Sequence, residues 1–362
     1  MSARHFAQSY AEAREKFAAA ASAEGLVLER NVHPGARGAE GEELSLDCAR
    51  LGPARAADLL VLTSATHGVE GFCGSGAQVA LLHDADFLAR ARSSGTAVLL
   101  VHAVNPYGFS HWGRTNENNI DLNRNFIDHA ALRPANDAYA EVHPLLVAEE
   151  WPPAAEREAA IGRYIAERGQ FAFQAAVSGG QYAYPDGLFF GGHAPSWSNL
   201  TLRQVLRAHG AGARRLLWID FHTGLGPYGH GELIHAGRDD DAELARATTV
   251  WGGELKSIYK GTSVSARLEG LLAFAAYEEV PQAELTGCAL EFGTLPVMQV
   301  LQALRAENWL RRHAQAAPGE RAALRRQVRD AFYCDAGDWK ERVVAQGREV
   351  ALQALAAPRW RV

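Results

Sequence analysis

The chain has 362 residues, 48% hydrophobic and 22% charged, the balance of an ordinary folded protein and not of a disordered or fibrous one. Its 36 Lys and Arg against 42 Asp and Glu give a formal charge of -6, so no basic excess draws it to nucleic acid or to an anionic membrane. Four scattered cysteines, with no Cys-x-x-Cys pair, exclude a disulfide-stapled scaffold and fit a reducing compartment.

Along the chain, Phe6, Tyr10, Ala13 and Phe17 recur at three-to-four-residue spacing and predict an amphipathic helix ending near Gly25. Charges at Arg4, Glu12, Arg14 and Glu15 interrupt any secretory signal, and no stretch reaches the ~18 apolar residues of a membrane span, so a cytoplasmic protein is expected. Short β-type runs follow at 26–32, 44–49 and 58–64, the last apolar enough to lie inside a sheet. Residues 75–92 read as a helix and 96–104 as a buried strand. The same order returns with strands at 214–221 and 231–235, helices at 239–251 and 266–277, a strand at 288–292 and a helix at 297–313. Residues 136–176 and 320–357 look helical and are expected to pack outside the sheet. This alternation predicts an α/β fold with a mostly parallel, mixed central sheet and helices on both faces. With no Ser/Gly/Pro linker to divide it, the expectation is one catalytic domain over 1–362 with N-terminal and C-terminal helical additions.

Polar residues that carry chemistry stand at or beyond the ends of the apolar runs. His67-Gly68-Val69-Glu70 follows Leu59-Leu60-Val61-Leu62, so imidazole and carboxylate can turn onto one metal ion, although a solvated loop has the same spacing. Past the 96–104 strand come Arg114 and the string Asp121-Leu122-Asn123-Arg124-Asn125-Phe126, at the sheet edge where open α/β folds bind ligands. Guanidinium groups there can hold a substrate carboxylate, or simply face water. Trp218-Ile219-Asp220-Phe221-His222 ends a third run in a histidine, a candidate third ligand, with an aspartate beside it that can orient neighbouring groups. In Ala289-Leu290-Glu291-Phe292 a carboxylate interrupts buried residues, which requires a compensating partner: a metal-bound water, or one of the arginines. The aromatic segment 178–193 can form a loop over the site.

The ordered set His67-x-x-Glu70, Arg114, Asn123-Arg124, His222 and Glu291 resembles the zinc carboxypeptidase superfamily, including its succinylglutamate desuccinylase and aspartoacylase branch. The strings Phe221-His222-Thr223-Gly224-Leu225-Gly226 and Gly180-Gln181-Tyr182 are most similar to a bacterial carboxypeptidase-like group. The resemblance implies one Zn2+ per chain on His67, Glu70 and His222, Glu291 as general base, Arg114 on the developing oxyanion, and Asn123 with Arg124 on the substrate carboxylate. It implies a carboxypeptidase-like hydrolase acting on a small carboxylate-bearing peptide or acyl-amino acid, with an N-acyl amino acid deacylase as the alternative. Val69 replaces the arginine that digestive carboxypeptidases carry before the zinc glutamate, and the interval from Arg114 to Asn123 is compact, both closer to the deacylases. A non-catalytic protein that holds an anion on Asn123 and Arg124 is the remaining alternative. The resemblance also raises a mobile tyrosine, for which Tyr259 and Tyr277 are available.

Overall fold

The computed structural model describes residues 2–358. Seven strands form one sheet in the order β1-β2-β4-β3-β5-β7-β6, where β1 is Leu28–Arg37, β2 Glu43–Leu51, β3 Asp58–Thr63, β4 Ala97–His102, β5 Arg215–Tyr228, β6 Gly231–His235 and β7 Glu284–Gly293. The central four, β4-β3-β5-β7, are parallel to one another, and β1, β2 and β6 pair antiparallel at the two sides. The sheet is therefore mixed with a parallel centre, as the sequence predicts.

Period-two alternation explains why the central strands are apolar at nearly every position. Leu60, Leu62, Leu100, Leu217 and Ile219 point into one core, and Leu59, Val61, Leu99, Leu216 and Trp218 into another. The first core is covered by α1 (Tyr10–Ala23), α2 (Gly71–Leu82), α3 (Ala85–Ser94), α9 (Asp241–Trp251) and α13 (Gly337–Leu355). The second is covered by α8 (Trp197–Gly210) and α10 (Ala275–Glu279). The remaining helices are α4 (Pro106–His111), α5 (Asp137–Leu146), α6 (Ala155–Arg168), α7 (Gln170–Ser178), α11 (Val297–Arg312) and α12 (Pro318–Phe332). Among the described residues no helix is long and apolar enough to cross a membrane.

Two predicted helices differ. The segment 75–92 is broken after Leu82, because the Asp84 carboxylate accepts the Phe87 amide at 2.7 Å and caps a second helix. The segment 266–277 is mostly loop. Gly270 adopts φ +80, and helix begins only at Ala275 after a 3-10 turn over Leu272–Phe274.

Candidate metal centre

β3, β4, β5 and β7 run the same way, so the segments that follow β3 and β4 meet late residues of β5 and β7 at one edge of the sheet. After β3 the chain turns through Ala65, at φ 57, and reaches His67 and a 3-10 turn over Gly68–Glu70 that leads into α2. That turn rests on the backbone of α4 so closely that a Cβ on Gly68 would lie 2.1 Å from the Gly108 carbonyl carbon. The amides of Gly68 and Val69 donate to the carbonyls of Arg114 and Gly113 at 3.0 and 2.8 Å, which locks the His-x-x-Glu turn to the segment carrying Arg114. On β5, Asp220 and His222 are two residues apart and share a face; His222 lies in register with Glu291 of β7.

His67, Glu70 and His222 converge with their ligating atoms within 4.8 Å of one another, all three buried. Each imidazole turns Nδ1 to a different oxygen of Glu70: His67 at 2.9 Å from Oε1 and His222 at 2.9 Å from Oε2. Each is backed by a carboxylate at Nε2, Asp121 at 3.2 Å for His67 and Asp220 at 2.7 Å for His222. Asp220 is fixed in turn by the hydroxyls of Thr63 and Thr66, which donate to it at 2.7 and 2.9 Å, and Trp218 donates its indole N–H to Thr63. Two nitrogens and a carboxylate aimed at one point, each histidine oriented by an outer carboxylate, is the donor set that zinc takes. The residues fit such an ion.

The electrostatics follow from burial and these pairs. Burial would push the Glu70 carboxyl up, but His67 and His222 outweigh it and hold it well below the usual carboxylate range. Burial would lower His222, yet Asp220 and Glu70 raise it well above the ordinary histidine value. Burial also opposes the charge on Asp121, while Arg114 and Arg124 keep it ionised. Glu291 goes the other way: burial first and the negative Glu70 second push it up to about 7. Its hydrogen-bond partner is the Leu225 amide, which donates at 2.9 Å, and among the described residues it has no ion pair with an arginine.

The other predicted residues stand around this group. Arg114 donates from Nη1 to Glu70 at 3.1 Å and from Nε to Asp121 at 3.0 Å, with Nη2 2.8 Å from His67. Asn123 lies 3.5 Å from His222 through its amide nitrogen and accepts the Leu272 amide at 2.9 Å. Arg124 donates to the carbonyls of Asn123 and Ser178 at 3.2 and 2.5 Å, and its buried Nε has no partner among the described residues. From segment 178–193, Phe189 lies under both guanidiniums, 5.1 Å from that of Arg114 and 5.4 Å from that of Arg124. A cavity of about 160 Å³ opens beside His67, Glu70, His222, Glu291, Arg114 and Arg124. Tyr259 and Tyr277 do not line it; their hydroxyls bond the Gly237 carbonyl and Glu243.

The sequence pattern assigns no role to Asp121, although it opens the string Asp121–Phe126, and none to Thr63, Thr66 or Glu307. Glu307, on α11, accepts the Arg114 amide at 2.9 Å from 193 residues away, and nothing local in the sequence signals that contact.

Residues 6–346 match the family described as "Protein of unknown function (DUF2817)". Among curated proteins no match is found. Among solved structures, the chain is similar to a carboxypeptidase A from Helicoverpa armigera, with 14% identity, a TM-score of 0.45 and coverage of 90% of this chain and 74% of that one. It is also similar to bovine thrombin-activatable fibrinolysis inhibitor, with 11% identity, a TM-score of 0.46 and coverage of 94% and 99%. A murein-tripeptide amidase from Escherichia coli O157 gives 17% identity, a TM-score of 0.33 and coverage of 78% and 92%.

Proposed function

The chain belongs to the protein family of unknown function DUF2817, and we propose that it is a zinc-dependent, carboxypeptidase-like hydrolase that cleaves an amide bond next to a substrate carboxylate. The observation that carries this reading is the buried group His67, Glu70 and His222, with both Nδ1 atoms turned inward and both Nε2 atoms held by carboxylates. One zinc ion held by these three residues would supply a Lewis acid that polarises the scissile carbonyl and acidifies a water molecule.

The chain's own residues do the rest. Glu291, with its carboxyl pushed up to about 7, can accept a proton from the attacking water and release it to the departing nitrogen near neutral pH. In balance, the water oxygen joins the carbonyl carbon, the C–N bond breaks, and the proton carried by Glu291 goes to the amine. Arg114, fixed by Asp121 and by Glu307 through its backbone, places a permanent positive charge beside the carbonyl oxygen as negative charge grows there. Arg124, with its unpartnered Nε, and Asn123 hold the substrate carboxylate and so choose which amide reaches the site.

An N-acyl amino acid deacylase would use the same residues and differ only in what lies beyond the amide. A non-catalytic anion binder would need Asn123 and Arg124 but has no use for Glu291 in register with His222. The test is Glu291→Gln in zinc-loaded protein. Turnover of the amide is expected to fall by about 10²–10⁴-fold with bound zinc unchanged; unaltered turnover would reject the mechanism.

A further inference from the structure

The apolar lining of the cavity beside the candidate metal centre comes from two groups of elements. Ile234 of β6, Ala289 of β7 and the segment residues Ile258, Leu268 and Leu271 form one. Ile234 and Ile258 are buried yet belong to none of the hydrophobic cores; the space they face is the cavity. This group adjoins the residues assigned to the carboxylate, because Asn123 accepts the Leu272 amide at 2.9 Å and a Cβ on Gly270 would lie 2.7 Å from the Arg124 carbonyl oxygen. The side chain of the amino acid that carries the carboxylate therefore falls here.

The second group is Val177 of α7, Leu225 after His222, Leu301 and Leu304 of α11, and Phe332 of α12. Val297, 43% exposed, extends it to the rim. The charged groups that line the cavity are Glu70, Glu291, Arg114 and Arg124, and each already has a task in the chemistry. His235 also lines it; burial pushes its imidazole below the ordinary histidine range, so it is neutral.

We infer that the substrate is a short N-acyl amino acid that is apolar on both sides of the scissile amide, with a neutral apolar side chain against Ile234, Ile258 and Ala289 and an uncharged acyl group against Val177, Leu301 and Phe332. This inference rests on the hydrolase reading and selects among its substrates. A dipeptide would bring its ammonium to a wall with no carboxylate to spare. A succinyl group would bring a second carboxylate to a wall with no cation to spare. Taking an unpaired charge out of water is costly, whereas burying methylene groups is favourable. Hydrolysis would release the apolar carboxylic acid, which takes the water oxygen, and the free amino acid, whose nitrogen takes the proton.

The experiment compares N-hexanoyl-leucine, N-succinyl-leucine, leucyl-leucine and N-hexanoyl-lysine as substrates of the zinc-loaded protein, and as ligands of the zinc-free protein by calorimetry. N-hexanoyl-leucine is expected to exceed the other three by at least about a hundredfold in kcat/KM and to bind most tightly. Val297→Lys, at the exposed rim, is expected to narrow the gap to N-succinyl-leucine by about threefold. Preference for the succinyl compound, the dipeptide or the lysine derivative overturns the inference while leaving the hydrolase standing. If nothing is hydrolysed but N-hexanoyl-leucine binds best, the specificity stands and the hydrolase reading falls. If it is neither hydrolysed nor preferentially bound, both fall.

Discussion

Each imidazole of the candidate metal centre is gripped from behind by a carboxylate, and this sets which ring nitrogen faces Glu70. Asp121 does so for His67 and Asp220 for His222. Outer carboxylates of this kind orient the ring and raise its basicity. Asp220→Ala is therefore expected to weaken zinc binding by about 10–100-fold, measured by competition against a chromophoric chelator, with the fold retained. If affinity is unchanged, Asp220 does not orient His222 for the metal. A different histidine contributes to the pH dependence of stability. His102, fully buried and stacked on Phe17 at 4.6 Å, has its pKa lowered by burial from 6.5 to about 4. The unfolded chain binds a proton below pH ~6.5 that the folded chain refuses down to about 4, so stability falls as pH drops through that window. His102→Gln should flatten the pH dependence of the denaturation midpoint between 6.5 and 4; an unchanged slope would contradict the assignment.

At the scale of elements, the site depends on a turn that has no room to move. Any side chain on Gly68 meets the α4 backbone, and neither partner is a flexible side-chain tip that could swing away. Gly68→Ala is expected to lower stability by roughly 1–3 kcal/mol and to remove zinc binding with it, because His67 and Glu70 flank the displaced residue. Thermal melts and metal analysis of the same preparation check both. The ends of the apolar strands were readable because a polar residue after a run such as Leu59-Leu60-Val61-Leu62 stands out against its neighbours. His67, His222 and Glu291 were found in this way, and the structure brings them together. The task of Asp121 was not readable, since it lies 54 residues from His67 and reaches it only through a 3-10 turn. Apolar spacing predicts a helix over 266–277, but Leu268 and Leu271 face the cavity, and Gly270 sits against the Arg124 carbonyl in a backbone conformation that no helix has. Apolar residues that line a binding space look like core residues in a sequence.

Across the whole molecule, the residues proposed to hold the metal come from three places: the turn after β3, its 3-10 helix, and β5. Binding an ion there joins segments about 150 residues apart, since His222 and Glu70 are separated by 152 positions. Zinc should therefore stabilise the entire fold, by about 2.7 kcal/mol at a free concentration one hundred times its Kd. The rise in Tm should vanish in His222→Ala, and a rise that survives in that variant would place the ion elsewhere. If the metal at His67, Glu70 and His222 drives catalysis, a zinc titration shows it. Zinc is added stepwise to metal-free protein while hydrolysis of N-hexanoyl-leucine and of a panel of C-terminal dipeptides is followed. Activity is predicted to be absent at the start, to rise in proportion to added zinc, and to level off at one equivalent per chain. Full activity before any zinc is added, or none at saturation on every substrate, would contradict it.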